Sequence, residues 1–132
     1  MTTAAFQRAE EFEGQSAVSI RRKGEALEVE VRRGDIDIRV LIPEAVLEWY
    51  VDVEHRQSGL RAKDWYDYEG YDHTPIADLD QSMADEVSTF ISRSIGCELR
   101  FVEDTASQSK GRLEWFVDGR WQQAVPAPVG AA

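Results

Sequence analysis

Residues 17–43, AVSIRRKGEALEVEVRRGDIDIRVLIP, alternate apolar and polar side chains with a period of two. Only an extended chain with one face buried and the other wet satisfies that period. Val18 and Ile20 share a face, as do Leu27, Val29 and Val31, and then Ile36, Ile38 and Val40. The breaks KGEA and RRGD carry glycine where a tight turn needs it, which predicts a three-stranded meander. Its arginines and lysines fall at strand ends or on the outward parity, where solvated cations blunt sheet edges.

Pro43 ends the third strand, and VLEWYVDVEHR resumes the same period. Trp49, Val51 and Val53 take one face; Tyr50, Asp52 and Glu54 take the other. After the turn QSG, the stretch LRAKDWYDY returns. Its Leu60, Ala62, Asp64, Tyr66 and Tyr68 alternate with Arg61, Lys63, Trp65 and Asp67. That register sets Arg61 and Lys63 opposite Glu54 and Asp52, as cross-strand ion pairs.

The period then changes. Leu79, Met83, Val87, Phe90, Ile91 and Ile95 recur at steps of three and four, an amphipathic helix over residues ~80–95. Ser82 with Asp85 reads as a capping box, Leu79 with Met83 as a hydrophobic staple, and Gly96 as a left-handed stop. A shorter helix is expected in TTAAFQRAEEFEG, capped by Thr3 and ended by Gly14. Beyond the long helix come CELRFVED, RLEWFV and RWQQAV, the last two joined by the hairpin dipeptide Asp118-Gly119. Strands, one long helix, then strands predict an α+β fold: an antiparallel sheet of about six to eight strands with the helix packed on one face. Residues 1–125 form a single domain, and 126–132, within VPAPVGAA, a loose tail.

Charge is distributed unevenly. The 132 residues carry a formal charge of −10, and residues 44–86 hold twelve carboxylates against three bases. Six of the thirteen aromatic residues, including every tyrosine, fall in the same segment. Direct nucleic-acid binding is disfavoured, because phosphate contacts need clustered lysine and arginine. A basic protein is the favoured partner. No apolar run approaches the ~18 residues that span a bilayer. The first residues lack the layout of a secretory signal, and the single Cys97 fits a reducing compartment, so a cytoplasmic protein is expected.

Chemical motifs are sparse. DHTPIADLD offers Asp72, His73, Asp78 and Asp80 to a cation, but the spacing matches no calcium loop. His55 reads as a solvated strand-edge residue and Cys97 as a small apolar residue beginning a strand. No nucleophile elbow or phosphate-binding glycine loop is present. The expectation is a protein that is not an enzyme, with no cofactor and no metal.

One stretch remains: DWYDYEGYD, residues 64–72. On an alternating strand its aromatics point both ways, so one set stays exposed among carboxylates. Tyrosine and tryptophan give rigid contact area, while acids steer a cationic partner. The candidate partner-binding residues are Asp64, Trp65, Tyr66, Asp67, Tyr68, Glu69, Tyr71 and Asp72, with Asp52 and Glu54 on the adjoining strand. DWYDYEGYD followed by MADEVSTFISRSIG resembles, across residues 26–121, the bacterial immunity proteins of polymorphic-toxin systems. That resemblance implies a non-enzymatic inhibitor that neutralises a cognate toxin, such as a nuclease, by occluding its basic cleft. Two other functions fit the same features: a nucleic-acid mimic that blocks a host defence nuclease, and a small-molecule-binding or hydrolytic α+β domain.

Overall fold

The computed structural model describes residues 2–68, 73–104 and 110–128. The chain runs from helix α1 (Ala4–Ala9) and a 3₁₀ turn (Glu10–Phe12) into five strands. These are β1 (Val18–Lys23), β2 (Ala26–Arg33), β3 (Ile36–Pro43), β4 (Glu48–His55) and β5 (Arg61–Asp67). Helix α2 (Ile76–Gly96) follows, then β6 (Leu99–Glu103), β7 (Gly111–Val117) and β8 (Arg120–Val125).

The α+β class is as expected, with eight antiparallel strands among the described residues, but they form two sheets instead of one. β1 to β5 make a five-stranded meander in chain order, and β6, β7 and β8 make a second sheet. Helix α2 separates them along the chain, its 21 residues spanning about 31 Å at 1.5 Å each. The returning β7 and β8 then lie against β5 without extending its ladder.

Alternation sets the meander's register. Val18 pairs with Val31, Val31 with Ile38, Ile38 with Val53 and Val53 with Ala62, so one row of aliphatic residues crosses all five strands. This face is the core side, against which α1, α2 and the second sheet bury Phe6, Met83, Val87, Ile91 and Leu113. The opposite face carries charge. Lys63 stands opposite Asp52 and Arg61 opposite Glu54, as the sequence predicts. Gly24 and Gly34 occupy the turns with positive φ, 62° and 57°, a conformation other residues adopt at a cost.

The helices differ from expectation at their ends. Thr3 does cap α1, its Oγ1 accepting the Phe6 N–H. Helix α2, however, starts four residues before residue 80, with Pro75 as its N-cap. Ser82 and Asp85 are therefore interior to the helix and form no capping box; Asp85 instead pairs with Arg8 at 2.5 Å. Nor is Gly96 left-handed: it closes the helix, and Cys97 behind it is extended, with φ −87°. Near the C-terminus, the Ala127 N–H donates to Asp64 Oδ2 at 2.6 Å.

Candidate functional site

Trp49 is directed inward from β4, and its register partner on β5 is Tyr66. The two rings stack 4.2 Å apart at 15°. Phe90, on the buried stripe of α2, meets the Trp49 ring edge-on at 5.4 Å. It also meets Trp115 of β7 at 5.2 Å. Tyr66, Trp49, Phe90 and Trp115 thus form a continuous aromatic wall drawn from four elements. The wall lines a cavity of about 830 Å³ where α2 faces β5 and the β7–β8 hairpin. That volume is within the ~300–1,000 Å³ typical of ligand sites.

The polar groups of the cavity are organised around Tyr68. Trp49 is 2% exposed, and its indole N–H donates to the Tyr68 hydroxyl at 3.0 Å. That hydroxyl in turn donates to Glu86 on α2. Burial, and then the Glu86 carboxylate, push the Tyr68 hydroxyl well above its ordinary pKa. Tyr66 is raised in the same way, by burial and then by neighbouring Asp64. Both phenols therefore act as neutral hydrogen-bond donors at physiological pH, not as bases. At the other end of the wall, the Arg93 guanidinium lies over the Trp115 ring, 5.6 Å from its centroid. Asp67, Asp85 and Glu86 complete the lining.

On the outer face of the same hairpin, Trp65 and Tyr50 stack at 6.3 Å and 11°. They are 56% and 36% exposed. Glu48 ties both down, accepting from the Tyr50 hydroxyl at 2.7 Å and from the Trp65 indole at 3.4 Å. Trp65 stands at the strand edge and borders both the cavity and a shallow groove beside Leu41 and Tyr50.

The residues nominated from sequence divide between these two faces. Trp65 is exposed, as is Asp67 at the end of β5. Tyr66 is half-buried in the aromatic wall, and Tyr68, 7% exposed, belongs to the core. Asp64 points to the core side, where it holds Ala127. Asp52 and Glu54 are on the outer face but are engaged by Arg61, at 2.7 and 3.2 Å. Glu69, Tyr71 and Asp72 lie outside the described residues. Sequence reasoning did not single out Glu48, Glu86, Arg93 or Trp115. Glu86 was detectable in principle, because it precedes Phe90 by four residues and shares its helix face.

The acidic segment is less of a surface than its charge suggests. Glu44 pairs with Arg22, Asp85 with Arg8, and Asp80 accepts the Ala4 N–H at 2.9 Å. His55 is not simply solvated: it stacks on Phe101 at 5.1 Å, with Nδ1 2.7 Å from Ser58 Oγ. His73 is exposed, with φ 71°. Cys97 is a half-buried free thiol. Among the described residues no three His, Cys, Asp or Glu side chains are grouped to hold a metal, and Asp72 lies outside them. Comparisons with protein families, curated proteins and solved structures find no match.

Proposed function

We propose that this protein is a non-enzymatic inhibitor of a basic protein, acting in the manner of an immunity protein that covers the cleft of a toxin domain. The observation that carries the reading is the exposed Trp65–Tyr50 pair, held rigid by Glu48 at the edge of a sheet. Two large aromatic side chains exposed side by side support a docking role for this face. Rigid tryptophan and tyrosine supply binding energy at little entropic cost. Glu48, with Asp67 and Glu86 nearby, would favour a cationic partner and speed encounter.

The nucleic-acid mimic has less support. On the outer face, carboxylates alternate with guanidinium groups, as in Arg21–Glu28, Arg39–Glu30 and Arg61–Asp52. A run of phosphates is not reproduced by such a checkerboard. The small-molecule reading draws support from the cavity volume, but neither His55 nor His73 lines that cavity, so the hydrolytic version lacks its expected base.

The test is capture from the source cell at low salt, comparing the native chain with Trp65→Ala. A basic protein retained by the native chain, shed at high salt and lost with the variant supports the reading. In kinetics with that protein, Trp65→Ala should raise the dissociation rate about thirtyfold, the size of a hot-spot loss near 2 kcal/mol. Identical capture by both chains would falsify it.

A further inference from the structure

We propose that the outer face of β1, β2 and β3 binds a compact multivalent phosphate, either free pyrophosphate or the diphosphate of a nucleotide. The site goes beyond the inhibitor reading and does not depend on it. A pocket of about 400 Å³ opens there, lined by Arg21, Lys23, Arg32 and Arg39 and by two carboxylates, Glu28 and Glu30. Four cations against two anions leave a local excess of two positive charges in a chain whose formal charge is −10. The neighbouring carboxylates do not remove it. Asp37, which Arg32 approaches at 3.8 Å, is held by Arg56 at 3.3 Å. Asp52 and Glu54 are matched on β5 by Lys63 and Arg61. The face turns acidic at its far corner, where Glu48 and Asp67 pair across β4 and β5. Edge protection explains Arg21 and Lys23 on β1. It does not explain Arg32 and Arg39, because β2 and β3 are interior strands of the sheet.

The geometry suits phosphate oxygens. Glu28 and Glu30 form the floor, their side chains 8% and 19% exposed, and Arg21, Lys23 and Arg32 stand exposed around them. Glu28 is held by Arg21 at 2.7 Å and by Lys23 at 3.6 Å. Arg32 and Arg39 grip Glu30 through Nε, at 3.0 and 2.9 Å. A guanidinium carries more N–H donors than one carboxylate uses, so a grip through Nε leaves Nη donors for a second acceptor. That grip also fixes both side chains, and a positioned guanidinium binds phosphate oxygens in pairs. Ser19, the register partner of Glu30, adds a hydroxyl to the lining.

The experiment titrates the full chain with pyrophosphate, with ADP and with the monoanion nitrate. Salt is held at about 0.15 M, where charges more than about 8 Å away are largely screened. The readout is the NMR shift of the arginine Nε–H signals. Saturable shifts of Arg32 and Arg39 are expected with pyrophosphate and with ADP, and none with nitrate. Arg39→Gln should weaken pyrophosphate about tenfold, the loss of one charge-assisted hydrogen bond. Arg21→Gln, on the exposed edge strand, should weaken it at least about threefold by the same loss. Lys63→Gln removes an equal charge two strands from Arg39 and should change the affinity less than about twofold.

Pyrophosphate binding at least as tightly as ADP assigns the site to the phosphates alone, and tighter binding of ADP assigns it to a nucleotide. Absence of saturable shifts, or saturation by nitrate over the same concentrations, overturns the proposal. So does a loss with Lys63→Gln equal to that with Arg21→Gln, the mark of a diffuse field instead of a site. If Arg39→Gln does not fold, the comparison of Arg21→Gln with Lys63→Gln still decides the matter. None of these outcomes touches the capture experiment on Trp65.

Discussion

Trp49 and Trp65 lie on neighbouring strands of one hairpin and differ in role because they differ in parity. Trp49 faces the core and needs a partner for its indole N–H, which Tyr68 provides. Trp65 faces water and rests on Tyr50. Tyr68→Phe would leave the buried Trp49 N–H without its acceptor. The expected cost is about 1–3 kcal/mol. Urea denaturation checks it, against Trp65→Ala, which should change stability by less than about 0.5 kcal/mol because its site is exposed. If the two variants prove equally stable, the Trp49–Tyr68–Glu86 chain does not support the fold.

At the scale of elements, α2 depends on β2 for its C-terminal end. The last carbonyls of a helix lack intrahelical donors. The Arg33 guanidinium, at the end of β2, donates to Ser94 O at 2.9 Å and Ile95 O at 2.5 Å. Arg33→Met should therefore cost about 1–2 kcal/mol. Amide exchange should accelerate first in the last turn of α2, and uniform acceleration along the helix would refute this role. The start of α2 shows why its sequence signal was incomplete. Ile76 is 64% exposed, so the first turn joins the stripe from which amphipathic periodicity is read only at Leu79. Ser82 and Asp85 had the spacing of a cap, but a cap also requires a non-helical backbone, which the chain does not adopt there.

Across the whole molecule, both sheets use the same electrostatic unit. Glu30 of β2 lies between Arg32, two residues along, and Arg39, its partner across the ladder. Glu114 of β7 lies between Arg112 and Arg100 in the equivalent relation. Burial alone would raise both carboxyls, but hydrogen bonds and charge from the flanking guanidiniums outweigh it, leaving each below its ordinary value of 4.5. A carboxyl lowered on folding stabilises the native chain above its unfolded pKa and loses that contribution as pH falls through the folded value. Glu114 is 8% exposed, and Glu114→Gln should destabilise the chain at pH 7 by about 1–3 kcal/mol. The difference from the native chain should shrink as pH drops below 4.5. Urea midpoints from pH 7 to about pH 3 measure it; a difference that stays constant over that range would rule out the carboxylate as its source.

Local pattern alone determined the strands of the meander, their facing, the Arg61–Glu54 and Lys63–Asp52 register, the Asp-Gly hairpin and the existence of α2. Each depends on neighbours in the chain, and a two-residue or 3.6-residue period records which side of the backbone is dry. The tertiary structure decided that the second set of strands forms its own sheet, and that Phe90, Trp115 and Trp49 meet to make a cavity. It also decided which carboxylates are neutralised by distant arginines and which aromatic residues remain exposed. Those outcomes depend on contacts between segments far apart in sequence, which no local period records.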